Sequence, residues 1–68
     1  MKRFDIEFDT VETVDGKEEE SRIKIKAISE KSFVGIAVFA ESMVGKTRDN
    51  ERIVGVHEIT QYSDVEVI

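Results

Sequence analysis

The chain has 68 residues, and fifteen acidic against ten basic side chains give it a net charge of −5 at pH 7. A chain of this length predicts a single domain over residues 1–68, which buries only about 60% of the surface that its unfolded state exposes. The acidic balance argues against direct binding of nucleic acid, because that affinity comes mainly from neutralising phosphates. The absence of cysteine excludes disulfides and thiolate chemistry.

Neither a secretory signal nor a membrane span is expected. The basic start Met1-Lys2-Arg3 is followed by Phe4-Asp5-Ile6-Glu7, whose charges interrupt the apolar stretch that a secretory signal requires. The longest apolar run is eight residues, 33–40, whereas a bilayer-spanning helix needs about 20. We therefore expect a cytoplasmic protein without a membrane partner.

The first half of the chain has the pattern of a β-hairpin. Residues 4–8 and 22–27 alternate apolar and polar side chains, as strands with one buried face do. Asp15-Gly16 between them favours a two-residue type I′ turn, which pairs residues whose numbers sum to 31. This register leaves Glu12 on the inner face and so predicts either a bulge or a tip that extends past the core. It sets six pairs: Asp5–Lys26, Glu7–Lys24, Asp9–Arg22, Phe4–Ala27, Ile6–Ile25 and Phe8–Ile23.

The middle of the chain predicts a helix over about 30–44. Ser29 is suited to the N-cap, Glu30 to the first turn, and Gly45 to the C-terminal stop. Six apolar residues then share one stripe at helical spacing: Phe33, Ile36, Ala37, Ala40, Met43 and Val44. A strand over 33–39 is the alternative, because this segment contains one glycine and three β-branched residues.

The remaining segments complete an α+β fold. Residues 46–52 are polar and predict a loop, while the β-branched residues of 53–62 predict a third strand. A turn at Ser63-Asp64 and a short edge strand over 65–68 are the interpretation of the C-terminal segment. The expected fold is ββαβ(β), a small antiparallel sheet of strand order 2-1-3 with one helix packed on one face.

Two runs, Lys26-Ala27-Ile28-Ser29-Glu30 and Ile53-Val54-Gly55-Val56-His57-Glu58-Ile59, flank the expected helix. In this arrangement the chain resembles short phage- or prophage-encoded β-β-α-β proteins without an assigned activity. The resemblance covers about two thirds of the chain and carries no catalytic residue across. It implies a non-enzymatic protein that binds host or phage proteins. Acidic proteins of this kind include inhibitors of host defence nucleases, anti-CRISPR proteins among them.

No catalytic, cofactor-binding or metal-binding residue is expected. Residues 40–47 come close to a phosphate-binding loop, but Ala40 replaces the first glycine and the segment is expected to end a helix rather than to begin one. His57 and Glu58 are neighbours in a strand, so we expect them on opposite faces of the sheet, where they cannot easily share a metal ion. No nucleophile has a matching base, and the chain is too short to enclose a sizeable pocket, so we expect no enzyme.

The unmatched acidic charge is concentrated at the hairpin tip. Residues 12–20 hold five acids against Lys17, a net charge of −4. The tip is interpreted either as a solvated end that prevents edge-to-edge pairing, or as a surface that steers association with a basic protein partner, such as a nucleic-acid-handling protein. The acidic tip comprises Glu12, Asp15, Glu18, Glu19 and Glu20.

An apolar surface is the second candidate. Val34, Val38 and Phe39 lie off the main stripe of the helix, where either residues 65–68 or a second chain could cover them. The predicted function is therefore a small acidic binding protein, of the type of a phage inhibitor of a basic host protein. The alternative is a homo-oligomeric structural or assembly protein, for example a homodimer, which associates through the outer helix face or the C-terminal edge strand.

Overall fold

A four-stranded antiparallel sheet with one helix against it makes up the fold. The computed structural model describes residues 1–62, and the strand predicted at 65–68 lies outside them. The strands follow the order β2-β1-β4-β3, and each strand is antiparallel to its neighbours. In chain order the elements are β1 (Lys2–Val14), β2 (Lys17–Ser29), α1 (Phe33–Ser42), β3 (Thr47–Arg48) and β4 (Glu51–Tyr62).

The predicted strand order 2-1-3 is wrong at one edge of the sheet. The segment predicted as the third strand does lie beside β1, but it forms β4, because the predicted loop 46–52 contains the short strand β3. Arg48 pairs with Glu51 across the turn, and Asp49 has a positive φ of 55°. Aspartate tolerates this left-handed conformation, so the chain can fold back directly onto β4.

The predicted hairpin register is confirmed over the whole of β1 and β2. The pairing runs from Lys2↔Ser29 to Val14↔Lys17 without a shift. Asp15 and Gly16 have φ values of 52° and 76°, the two positive values that a type I′ turn requires. Of the two alternatives for the tip, the extension past the core is the observed one: Thr10 is buried, whereas residues 12–20 are all exposed.

Strand β4 contains two β-bulges. Along β1 the register passes from Glu58 to Val56 and then from Gly55 to Ile53, so His57 and Val54 have no partner on β1. Ile53, Val56 and Ile59 recur every third residue, so regular alternation would turn Val56 to the face opposite the other two. The bulges correct this alternation. With the bulges, all three lie opposite inward-facing residues of β1.

The core lies between the helix and the centre of the sheet. Phe4, Ile6 and Phe8 of β1 are completely buried, and they form one cluster with Ile36 and Ala40 of α1. The helix packs chiefly against β4 rather than β2. The partly buried residues around this cluster are Ile23, Ala27, Met43, Ile53, Val56 and Ile59.

The helix is confirmed, but it is shorter than predicted and is capped by Ser32 rather than Ser29. The Ser32 hydroxyl accepts a hydrogen bond from the Gly35 N–H at 3.2 Å, whereas Ser29 ends β2 and accepts from the Lys31 N–H at 3.0 Å. The predicted buried stripe is also narrower than expected. Phe33, at the first turn, is 44% exposed, and Val44 lies beyond the end of α1.

No helix within residues 1–62 combines the length and the apolar character needed to cross a membrane.

Candidate functional site

The outer face of the sheet, opposite the helix, carries a ladder of charged side chains. Two of the predicted charge pairs are confirmed: Arg22 Nε lies 3.0 Å from Asp9 Oδ1, and Lys24 Nζ lies 3.8 Å from Glu7 Oε2. Arg22 Nη1 also approaches Glu7 Oε1 at 3.8 Å. Exposed pairs of this kind contribute up to about 1 kcal/mol each, so they support the register more than they determine stability.

Lys26 is the cross-strand partner of Asp5, as predicted, but the Asp5 carboxylate contacts Tyr62 of β4 and Arg3 of its own strand. The Tyr62 hydroxyl donates a hydrogen bond of 2.8 Å to Asp5 Oδ2, and Arg3 lies 3.7 Å from the same oxygen while its guanidinium covers the Tyr62 ring at 4.6 Å. The hydrogen bond from Tyr62 lowers the pKa of Asp5 although burial opposes this, and the positive charge of Arg3 acts in the same direction. The same hydrogen bond raises the pKa of Tyr62.

We predict that Tyr62→Phe destabilises the protein in a pH-dependent way. A carboxyl group with a lowered folded-state pKa contributes stability above its ordinary value of 3.8, and this stability is lost as the pH falls through the folded-state pKa. Tyr62, whose folded-state pKa is raised, contributes stability at pH values below its ordinary pKa of 10.0. That contribution is lost as the pH rises through the folded-state pKa of Tyr62. The wild-type protein and the Tyr62→Phe variant should therefore differ most in unfolding free energy at pH values between the two ordinary pKa values. This difference should become smaller in acid. Urea titrations at several pH values measure it, and a constant difference down to strong acid would contradict the assignment.

His57 lies at one of the bulges of β4, beside the acidic side chains of β1. Its Nε2 is 3.5 Å from Glu7 Oε1, and its Nδ1 is 3.8 Å from Asp9 Oδ2. Glu58 is the direct cross-strand partner of Glu7. The expectation that His57 and Glu58 face opposite sides of the sheet is wrong, because the bulge interrupts the alternation. One ligand atom each of Glu7, His57 and Glu58 lies within 4.8 Å of the other two.

Glutamates of the acidic tip face one another and a glutamate of β4 across three strands. Glu12 of β1 lies directly opposite Glu19 of β2 on one side and Glu51 of β4 on the other. Within residues 1–62, none of these three carboxylates forms an ion pair. Like charges placed directly opposite destabilise a sheet. Asp15, Glu18 and Glu20 add further exposed charge. Of the acidic residues that meet here, only Glu51 was absent from the acidic tip predicted from the sequence.

We predict that Glu12→Lys stabilises the protein, although it changes an exposed residue. The substitution converts two repulsive cross-strand pairs into attractive ones, and each such change is worth roughly 0.2–1 kcal/mol. Thermal unfolding at low salt measures the effect, and the gain should shrink when salt screens the charges. Glu30→Lys is the matched control, since it makes the same change of charge at an exposed position outside the sheet. An equal gain in both variants would contradict the pairing argument.

Apolar side chains form a second exposed surface. Val34 and Val38 of α1 are 70% and 66% exposed, and Phe39 is 44% exposed. The helix also leaves a groove of about 620 Å³ beside β2, with Ile23, Ile25, Met43 and Ile53 among its lining residues. All three predicted apolar residues of α1 are thus exposed, and Glu12 of the acidic tip lines the same groove as Met43.

The segment that comes close to a phosphate-binding loop does not have the geometry of one. Residues 40–42 are the last turn of α1, Gly45 has a positive φ of 90°, and the chain then enters β3. Within the described part of the chain, no helix follows this glycine to direct its N-terminus at a phosphate.

Comparisons of the chain with protein-family models, curated proteins and solved structures returned no match.

Proposed function

We propose that the protein is a small acidic, non-enzymatic binding protein whose hairpin tip docks on a basic protein partner. The observation that carries the proposal is the row Glu19–Glu12–Glu51, in which no carboxylate forms an ion pair within residues 1–62. Such a row lowers the stability of the free protein. Lysine or arginine side chains of a partner would remove that repulsion, so part of the binding energy comes from relief of the unfavourable contacts.

A nucleic-acid-handling protein is the partner class that we propose, in the manner of a phage-type inhibitor. A site for nucleic acid on such a protein is a basic groove that accepts rows of negative charge. The tip presents acidic side chains along two adjacent strands, and the body of the protein is elongated, with extents of 48 × 23 × 17 Å. Occupation of the groove by the tip would exclude the nucleic acid.

The experiment that tests this proposal captures partners from a cell lysate on the tagged protein and washes them at low and at high salt. We expect a basic, nucleic-acid-handling protein that is retained at low salt and released at high salt, because exposed charge pairs are screened. Nucleic acid should compete for the groove of the captured partner and displace the acidic protein from it. Recovery of no basic protein, or of one whose binding is indifferent to salt and to nucleic acid, would contradict the proposal.

Self-association through α1 is the second candidate function, because Val34 and Val38 are the most exposed apolar residues of the helix. A symmetric contact between the α1 helices of two copies would bury Val34 and Val38 of both chains. We predict that Val38→Asp then gives monomers, while circular dichroism shows an unchanged fold. Sedimentation equilibrium measures the mass of both proteins. A wild-type chain that is already monomeric at high micromolar concentration would rule this candidate out.

A further inference from the structure

The bulge at His57 brings together three side chains that can bind a metal ion. Glu7 and Glu58 are direct partners on adjacent strands, and His57 is the additional residue that the bulge turns toward the same face. Neighbouring ligand atoms on a tetrahedral zinc ion lie about 3.4 Å apart when the bonds are about 2.0–2.1 Å long. The observed 3.5 Å between His57 Nε2 and Glu7 Oε1 is close to this spacing, and the oxygen of Glu58 completes a trio within 4.8 Å.

Asp9 provides an independent observation in favour of a site. Its Oδ2 lies 3.8 Å from Nδ1 of His57, whereas Glu7 lies 3.5 Å from the other ring nitrogen, Nε2. Metal-binding histidines commonly have a carboxylate at the nitrogen that does not bind the metal, because this contact fixes the orientation of the ring. Asp9 is in turn held by Arg22 at 3.0 Å. Nε2 of the imidazole is thus the ring nitrogen nearest to Glu7, and Nδ1 is the one nearest to Asp9.

Glu58 is the member of this trio whose carboxylate an added cation would serve best. Glu7 and Glu58 oppose each other directly, which is unfavourable for two carboxylates. Glu58 has no cationic partner within 4.0 Å among residues 1–62. We propose that Glu7, His57 and Glu58 form a binding site for one divalent transition-metal ion of the zinc type, with solvent filling its remaining positions. An imidazole ligand favours such ions over Mg²⁺ and Ca²⁺.

Two cationic side chains compete with the metal ion for Glu7: Arg22, whose Nη1 lies 3.8 Å from Oε1, and Lys24. Nζ of Lys24 lies 3.8 Å from Glu7 Oε2, and the lysine side chain is more than half exposed, so it can move into solvent when the ion binds. Its positive charge nevertheless repels a cation at this distance. The site therefore offers one substitution that should strengthen binding and two that should weaken it, which separates a defined site from general attraction to an acidic protein.

The test is calorimetric titration of the full chain with Zn²⁺ alone, supported by NMR of the His57 ring. We expect one ion per chain and a shift of the His57 resonances. His57→Gln and Glu58→Gln should each weaken binding by at least about tenfold. Lys24→Gln should strengthen it several-fold. All three positions are exposed, so the fold should persist, and circular dichroism verifies this.

Glu18→Gln is the matched control, because it removes one exposed carboxylate at the tip. It should bind Zn²⁺ as the wild-type protein does. The proposal is overturned if the wild-type chain takes up no Zn²⁺, or if Glu58→Gln and Glu18→Gln weaken binding equally. The result is independent of the partner proposed for the acidic tip, since neither His57 nor Glu58 belongs to the tip.

Discussion

Phe8→Ala is expected to remove a large part of the protein's stability. Phe8 lies in the central strand and is completely buried between α1 and the sheet. Removal of a buried phenylalanine ring costs about 3–5 kcal/mol, because the contacts are lost and a cavity remains. A domain of this length has a total stability of only about 3–10 kcal/mol. Urea unfolding followed by circular dichroism measures the loss.

Phe39→Ala is the matched control for this prediction. It removes the same atoms from a side chain that is 44% exposed on α1. The expected loss is no more than about 1.5 kcal/mol, since much less surface is returned to water. Equal destabilisation by the two substitutions would contradict the core that we describe, in which β1 supplies the central aromatic residues.

Reversal of charge at the tip is expected to abolish binding to the basic partner while the fold is retained. Glu18→Lys, Glu19→Lys and Glu20→Lys together change six units of charge, from a net −5 to about +1. All three residues are exposed, and none of them forms an ion pair within residues 1–62. The association rate should fall most steeply at low salt, because steering by the tip is replaced by repulsion.

The control for the tip is a triple variant with the same net charge. Glu30→Lys, Glu41→Lys and Glu58→Lys alter exposed carboxylates that lie away from the tip. This variant should keep most of the affinity if position matters more than total charge. Surface plasmon resonance against the captured partner measures both proteins. Unchanged affinity in the tip variant, or equal losses in the two variants, would exclude the tip as the binding surface.

Local patterns were sufficient to predict the hairpin but not the far side of the sheet. Asp15-Gly16 fixes the register of β1 and β2 within a few residues, so the pairs Asp9–Arg22 and Glu7–Lys24 could be derived by counting. The pairing of β1 with β4 joins residues that are distant in sequence, and no turn sets its register. The hydrogen bond between Asp5 and Tyr62, which spans 57 positions, was therefore beyond reach.

The sequence carries a signal for the bulges that simple alternation does not reveal. Ile53, Val56 and Ile59 have a spacing of three, which no regular strand can place on one face. Recognition of that spacing would have predicted the bulges and moved His57 to the face of Glu7. The helix start was a different kind of error, since Ser29 and Ser32 both suit an N-cap. The choice depends on where β2 ends, which tertiary pairing decides.

The bulges in β4 also determine where the length of this chain can change. In a regular strand, loss of one residue turns every later side chain to the opposite face. Removal of one residue at 57–58 would instead restore one-to-one pairing with β1 and leave Val56 and Ile59 facing inward. The same loss within Phe4–Phe8 would invert part of the alternation on which the core depends. Single-residue deletions during divergence should therefore be tolerated at the bulges of β4 and excluded from the core segment of β1.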